Sequence, residues 1–292
     1  MENKNYPVTL YLTEPWQLYA RSGDKKFHVF KNPDGKQVIF KKTIEDFLTL
    51  SEVFHSKALI MLGEPTAKNE LATLDKGTGG IASEIFTKQN QHVEDFFKMN
   101  LLKDDKDYNK NALKYFQNVN LESFVTSKLD KHSPEFIEEF IRVWLTSNVF
   151  ANTDTYRGHN IGAVKENETI KFMAPNYDFE CCSMFLACPS NNSTLEWLQQ
   201  GFTENNISYL KSHHKDTTNN YFERLIALKE NPEFTSLCDF SGLEDFITEN
   251  KFLYNDEQTQ SATDRLSQLS EQVEKGYKQR FTMLSNQYSR GK

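Results

Sequence analysis

Three side chains with hard oxygen donors stand out by their spacing: Asp154, Asn160 six positions on, and Asp178 eighteen positions further. They sit in Asn152-Thr153-Asp154-Thr155-Tyr156-Arg157-Gly158-His159-Asn160-Ile161-Gly162 and, after a short apolar run, in Ala174-Pro175-Asn176-Tyr177-Asp178-Phe179. Phosphoryl transfer uses such a set: one carboxylate orients the attacking hydroxyl, while an amide and a second carboxylate hold the cation that neutralises the phosphates. Mg²⁺ prefers hard oxygens and keeps several waters, so Asn160, Asp178 and phosphate oxygens form a sufficient set. Asp and Asn are also common turn formers. Convergence is what lifts these three above that reading. The loop leads from a long apolar helix into a strand starting at Ile161, and Asp178 follows the strand expected to pair with it. A hairpin over 161–164 and 170–173 would bring all three to one edge.

The same chemistry calls for a lysine on the α and β phosphates, held by a helix glutamate. Lys41 ends the strand-like run Val38-Ile39-Phe40-Lys41-Lys42. Strand phase puts Lys41 on the face of Ile39 and Lys42 on the opposite face, which favours Lys41. Glu52, eleven residues on, lies in the following helix and is the expected partner. A candidate phosphate-covering turn lies in Ala20-Arg21-Ser22-Gly23-Asp24-Lys25-Lys26-Phe27, where backbone N–H groups around Ser22 and Gly23 would meet anionic oxygens. With one glycine, the segment reads equally as a plain hairpin turn.

The elements that must position these groups follow from periodicity. Residues 8–12, 26–30 and 36–41 alternate as strands, with Asn32-Pro33-Asp34-Gly35 as a turn. Phe47, Leu50, Phe54, Ala58 and Met61 recur at helical spacing, and Gly63 with Pro65 stops that helix. Strands 69–74 and 81–86 flank Asp75-Lys76-Gly77-Thr78-Gly79-Gly80. From Gln91 the spacing turns helical over 91–101, 108–116, 119–130 and 134–150, the last opening on Ser133-Pro134, a cap followed by proline at the first turn. Residues 258–290 read as a long polar helix with one apolar stripe. The expected fold is α+β and two-lobed, protein-kinase-like. It comprises a small β-rich N-lobe with one helix over 1–90 and a larger, mostly helical C-lobe over 91–292 that carries the catalytic loop and metal-binding hairpin.

Composition narrows the classes. The chain has 292 residues, 38% hydrophobic and 13% aromatic, which suits a folded core rather than disorder. A net charge of −7 argues against direct nucleic-acid binding, which needs excess basic charge. There is no run of apolar residues long enough to span a bilayer and no signal-peptide core at the N-terminus, so a cytoplasmic location is expected. Cys181, Cys182, Cys188 and Cys238 lack metal-site spacing and read as reduced thiols. His213 and His214 read as structural or solvent-facing.

The two motifs resemble the catalytic core of the HipA-like serine/threonine kinases, bacterial enzymes that include toxins of toxin–antitoxin pairs. Their core is similar to Asn-x-Asp-x-His-x-x-Asn-Ile-Gly and Ala-Pro-x-Tyr-Asp. Ser51-Glu52-Val53, Leu62-Gly63, Glu70-Leu71-Ala72 and Ser83-Glu84-Ile85-Phe86 also look like the N-lobe of smaller members, so the likeness covers residues 18 to 185 in a short form without the extra N-terminal subdomain. The resemblance implies Asp154 as the residue orienting the substrate hydroxyl, Asn160 and Asp178 as Mg²⁺ ligands, and Lys41 with Glu52 on ATP phosphates. It implies a protein substrate, an antitoxin or regulatory protein as partner, and action in the cytoplasm or, for a secreted effector, in host cytosol. The Asp-to-Asn spacing is six where the family usually has five, and Tyr156 stands where it often has His. Two alternatives share the scaffold: a phosphoinositide or small-molecule kinase, and a degenerate pseudokinase acting as a binding protein.

Overall fold

The computed structural model describes residues 6, 8–11, 15–21, 27–42, 46–74, 78–88, 90–96, 99, 119–155, 158–178, 182, 185, 201–244, 246 and 262–290. Its first part is a six-stranded sheet in the order β1-β5-β6-β4-β3-β2. The strands are β1 (Val8–Tyr11), β2 (Gln17–Arg21), β3 (Phe27–Lys31), β4 (Gln37–Lys42), β5 (Asn69–Leu74) and β6 (Thr78–Glu84). All neighbours are antiparallel except β1 and β5, which run parallel. Helix α1 (Asp46–Leu62) connects β4 to β5 and covers one face.

Alternation along the strands sorts side chains by face. Val38 and Phe40 of β4 join Phe30, Ala72 and Ala82 in a small apolar cluster. Leu71 and Ile81, on the other face, enter the main core with Leu50, Val53, Phe54 and Ala58 of α1. Ile39 and Lys41 belong to that second face. Cross-strand register sets Val29, Ile39 and Ser83 in one row and Lys41 beside Ile81 in the next.

Helix α1 ends at Gly63, whose φ of 74° suits glycine. Gly63 N–H donates to the Ile60 carbonyl at 3.0 Å and Glu64 N–H to the Leu59 carbonyl at 2.9 Å, a Schellman closure. Two later helices reach this end. Arg142 and Arg224 pair with the buried Glu64 carboxylate at 3.0 and 2.6 Å. Both also donate to the Gly63 carbonyl, at 3.3 and 3.1 Å, cations where the helix presents its negative pole. Burial still pushes the Glu64 carboxyl up, against the pull of both guanidinium groups.

The second part begins with a three-stranded antiparallel sheet, β7 (Gln91–Asp95), β8 (Gly162–Glu166) and β9 (Thr169–Met173). Its helices are α2 (Leu121–Phe124), continued by a π-helical turn Val125–Leu129, then α3 (Pro134–Val149), α4 (Glu204–His213), α5 (Lys215–Glu230), α6 (Pro232–Leu237) and α7 (Ala262–Arg290). The cap read at Ser133 is present: its side chain accepts from Phe136 N–H, with Pro134 in the first turn. Helix α7 lays Leu266, Leu269, Val273, Tyr277, Phe281, Leu284 and Tyr288 into the core as one stripe.

Two readings change. The helix expected over 91–101 begins instead as strand β7, because Val93 and its neighbours pair in register with 162–166, a partner too distant in sequence for local periodicity to show. Residues 108–116 lie outside the described residues. Strand β2 is not among the strands expected from alternation, and its end overlaps the turn expected from Ala20; it pairs with β3, and its register shift between Leu18 and Ala20 breaks the clean alternation a strand search relies on. Cys182 and Cys238 are buried, and His214 Nδ1 lies 2.7 Å from a Glu138 carboxylate oxygen. Cys181 and Cys188 lie outside the described residues. No helix among the described residues is long and apolar enough to cross a membrane.

Candidate functional site

Lys41 leaves the end of β4 on the face that α1 covers, and Glu52 meets it from the second turn of that helix. Their Nζ···Oε1 distance is 2.7 Å, and the Glu52 side chain is only 3% exposed. A charge this buried needs a cation. Asn69 of β5 adds a weaker hydrogen bond to the other Glu52 oxygen at 3.5 Å.

The same ammonium reaches Asp178 Oδ1 at 2.8 Å. One lysine therefore bridges two carboxylates 126 residues apart in sequence, drawing the first sheet to the segment after β9. Glu52, Lys41 and Asp178 together carry one net negative charge, so the cluster as it stands would repel an anionic ligand without a further cation.

Asp178 adopts φ 56° and Asn160 φ 55°, the left-handed region that Asp and Asn tolerate better than other side chains. Asn160 Nδ2 donates to the Asp178 carbonyl at 3.3 Å. That bond fixes the amide's orientation: the nitrogen faces the carbonyl, and Oδ1 remains an acceptor. Asn152 Nδ2 donates to the same carbonyl at 3.3 Å from a fully buried position. Both loops of the sequence motif thus fasten onto one backbone oxygen. Asp154 is placed by Asn152 as well: Asn152 Oδ1 accepts Asp154 N–H at 3.3 Å, and Thr155 Oγ1 donates to the Asn152 carbonyl at 2.7 Å. The Asp154 side chain is half-buried.

Above these charges opens a cleft of about 540 Å³. Val29, Ile39, Val93 and Phe86 provide apolar walls, and Lys41, Glu52, Tyr177 and Asp178 line its polar end. The connector from β6 to β7 contributes Ile85, Phe86 and Thr87. A mostly apolar cleft with a few converging polar groups is the usual form of a small-molecule site. Tyr177 is pinned by its hydroxyl, which donates to Asp95 Oδ1 at 2.6 Å. Burial and the adjacent Asp95 carboxylate push that phenol well above its ordinary range.

Of the expected residues, Lys41, Glu52 and Asp178 meet directly, and Asn160 joins them through the Asp178 backbone. Asp154 joins through Asn152, while its carboxylate is not among the groups lining the cleft. Ser22 and Gly23 lie outside the described residues. Among the described residues no three of His, Cys, Asp and Glu cluster as a metal centre. A site built on one carboxylate and one amide falls outside that pattern. Asn152, Asp95 and Tyr177 have no role in the sequence-based expectation. Asn152 and Tyr177 stood within the motifs, whereas Asp95 carried no signal because its partner lies 82 residues away.

No family model matches the sequence, and no curated protein matches it significantly. Among solved structures, the chain is similar to the Helicobacter pylori proinflammatory kinase CtkA, with a TM-score of 0.55, 15% identity, and coverage of 94% of this chain and 98% of that one. It is also similar to HipA from a Shewanella oneidensis MR-1 complex of HipA, HipB and operator DNA, with a TM-score of 0.48, 13% identity, and coverage of 97% of this chain and 69% of that one. At these identities the likeness concerns the fold alone, a mixed α+β fold like that of the kinase CtkA, with a β-rich first part and a helical second part.

Proposed function

We propose that this chain is an ATP- and Mg²⁺-dependent protein serine/threonine kinase of HipA-like type. The observation that carries the reading is the chain of charges Glu52–Lys41–Asp178, anchored on the buried Glu52, at the polar end of an apolar cleft. An isolated structural salt bridge does not require a second carboxylate on the same ammonium, nor a cavity above it.

In this reading the nucleotide base lies between Val29, Ile39 and Val93, near the connector 85–90. Lys41, held by Glu52, meets the α and β phosphates. Asp178 and the Oδ1 of Asn160 are hard oxygen donors that suit Mg²⁺, which tolerates a partly aqueous shell. When bound, the ion offsets phosphate charge that the net-negative cluster cannot. Asp154 orients the hydroxyl of a protein substrate and accepts its proton. The work left to the protein is positioning and electrostatic stabilisation. The β-rich lobe is assigned to residues 1–90 and the helical lobe to 91–292, with the nucleotide between them. An antitoxin or regulatory partner and action in the cytosol belong to the same proposal.

The test is incubation with γ-labelled ATP, Mg²⁺ and candidate protein acceptors, followed by peptide mapping. Asp154→Asn and Asp178→Asn should each remove labelling of serine or threonine while leaving the unfolding transition in place. Undiminished transfer by Asp178→Asn would refute the site assignment.

A further inference from the structure

Helix α7 lies outside the cleft, yet it touches both elements that carry the site. On α1, His55 follows Glu52 by three residues and is fully buried. Its ring packs edge-on against Phe150 and Tyr277, at 5.4 and 5.6 Å between centroids. Its two nitrogens have different partners. Nδ1 lies 2.6 Å from the Ser51 carbonyl and Nε2 lies 2.6 Å from the Tyr277 hydroxyl. A carbonyl can only accept, so Nδ1 carries the proton. In the neutral ring Nε2 must then accept, and the Tyr277 O–H donates to it. This bond ties α1, three residues from Glu52, to α7 through an aromatic surround.

One turn along α7, Arg280 is 4% exposed. Its Nε donates to the Val149 carbonyl at 2.8 Å and its Nη2 to the Asn148 carbonyl. These are the last carbonyls of α3, where a cation meets the negative pole of the helix; the Asn148 carbonyl also accepts from Ala151 N–H at 3.3 Å. The chain then passes through Ala151, at φ 53°, straight into Asn152 and Asp154.

We infer that Tyr277 and Arg280 are positioning residues: α7 is a strut that sets the Glu52-bearing helix and the Asp154-bearing loop in fixed relation across the cleft. The kinetic part of this inference rests on the kinase reading; the geometric part does not.

Two variants separate the arms. Tyr277→Phe keeps the ring and removes the hydroxyl, while Arg280→Lys keeps the charge and loses the paired donors. The integrity of the Lys41–Glu52 pair is read by the rate at which a dilute acylating reagent modifies Lys41, with the paired Lys165 as internal control. Local opening is read by amide hydrogen exchange. Tyr277→Phe should speed Lys41 acylation and exchange over 46–62 by about tenfold, leaving α5 unchanged. Arg280→Lys should do the same over 148–155. If the kinase reading holds, Tyr277→Phe should raise KM for ATP more than it lowers kcat, because it loosens the nucleotide-side lysine. Arg280→Lys should do the reverse, because it loosens the hydroxyl-side loop. Wild-type Lys41 acylation in Tyr277→Phe, or exchange rising uniformly over the whole chain, would overturn the strut. Absent phosphate transfer in the wild type, with Lys41 protection still dependent on Tyr277, would sink the kinase reading and leave the strut standing.

Discussion

Acid should loosen this protein through one imidazole. Burial lowers the His55 pKa from 6.5 to about 3, against a smaller opposing pull from the Ser51 carbonyl. Above the unfolded value neither state binds this proton, and the contribution is fully present. As pH falls below it, the unfolded chain takes up a proton that the folded chain refuses, and stability declines until the folded value is reached. The gap between the two values, about 3.5 units, corresponds to roughly 5 kcal/mol when fully expressed and to about 2 kcal/mol at pH 5, at 1.36 kcal/mol per unit. Whole-protein stabilities are about 5–15 kcal/mol, so the effect is large enough to measure. Protonation also forces Nε2 to donate, which the Tyr277 O–H cannot meet without turning away. The assay is urea unfolding at a series of pH values, for the native protein and for His55→Gln. Comparing the two isolates the residue, since His132 shifts in the same direction and Glu64 in the opposite one. The native protein should lose stability faster on acidification, with parallel denaturant slopes. Equal pH dependence in the two proteins, or an NMR titration placing His55 near 6.5, would refute the reasoning.

Lys41→Met leaves the 3%-exposed Glu52 carboxylate without its cation, so it should destabilise by about 3 kcal/mol and also end phosphate transfer, whereas Lys41→Arg should retain most of the stability, checked by denaturation beside labelled-ATP assays. ATP and Mg²⁺ together should raise the unfolding temperature far more than ATP alone, because the Glu52–Lys41–Asp178 cluster is net negative; equal shifts by differential scanning fluorimetry would contradict that electrostatic account. Gly80→Ala would set a Cβ 2.3 Å from the Lys41 carbonyl, so the strands must part and stability should fall by about 1–3 kcal/mol, with weaker nucleotide binding because Lys41 moves. Tyr177→Phe removes the hydrogen bond that pins the ring to Asp95 and should lower nucleotide affinity with little loss of fold, which isothermal calorimetry would register.

Local rules carried far here. Strand phase placed Lys41 with Ile39, and both line the cleft, because a period of two is a property of the extended backbone whatever it packs against. Gly63 as the stop of α1 and Ser133-Pro134 as the start of α3 were legible for the same reason: cap chemistry involves residues a few positions apart. The apolar stripe of the C-terminal helix was legible too, from its 3.6-residue period.

Other features depended on partners far along the chain. Residues 91–95 follow a spacing compatible with a helix, and pairing with 162–166 makes them a strand. Nothing near Asp95 announces Tyr177, and nothing near His55 announces Tyr277, 222 residues away. From its residues the chain fixed which groups carry oxygen, charge and caps, since side-chain chemistry and backbone period are local. Only tertiary packing decided that one ammonium bridges two distant carboxylates, and that a helix outside the cleft bears on both sides of it. Contacts between remote segments are chosen by the shape and burial of the whole core, and no short window of sequence contains that choice.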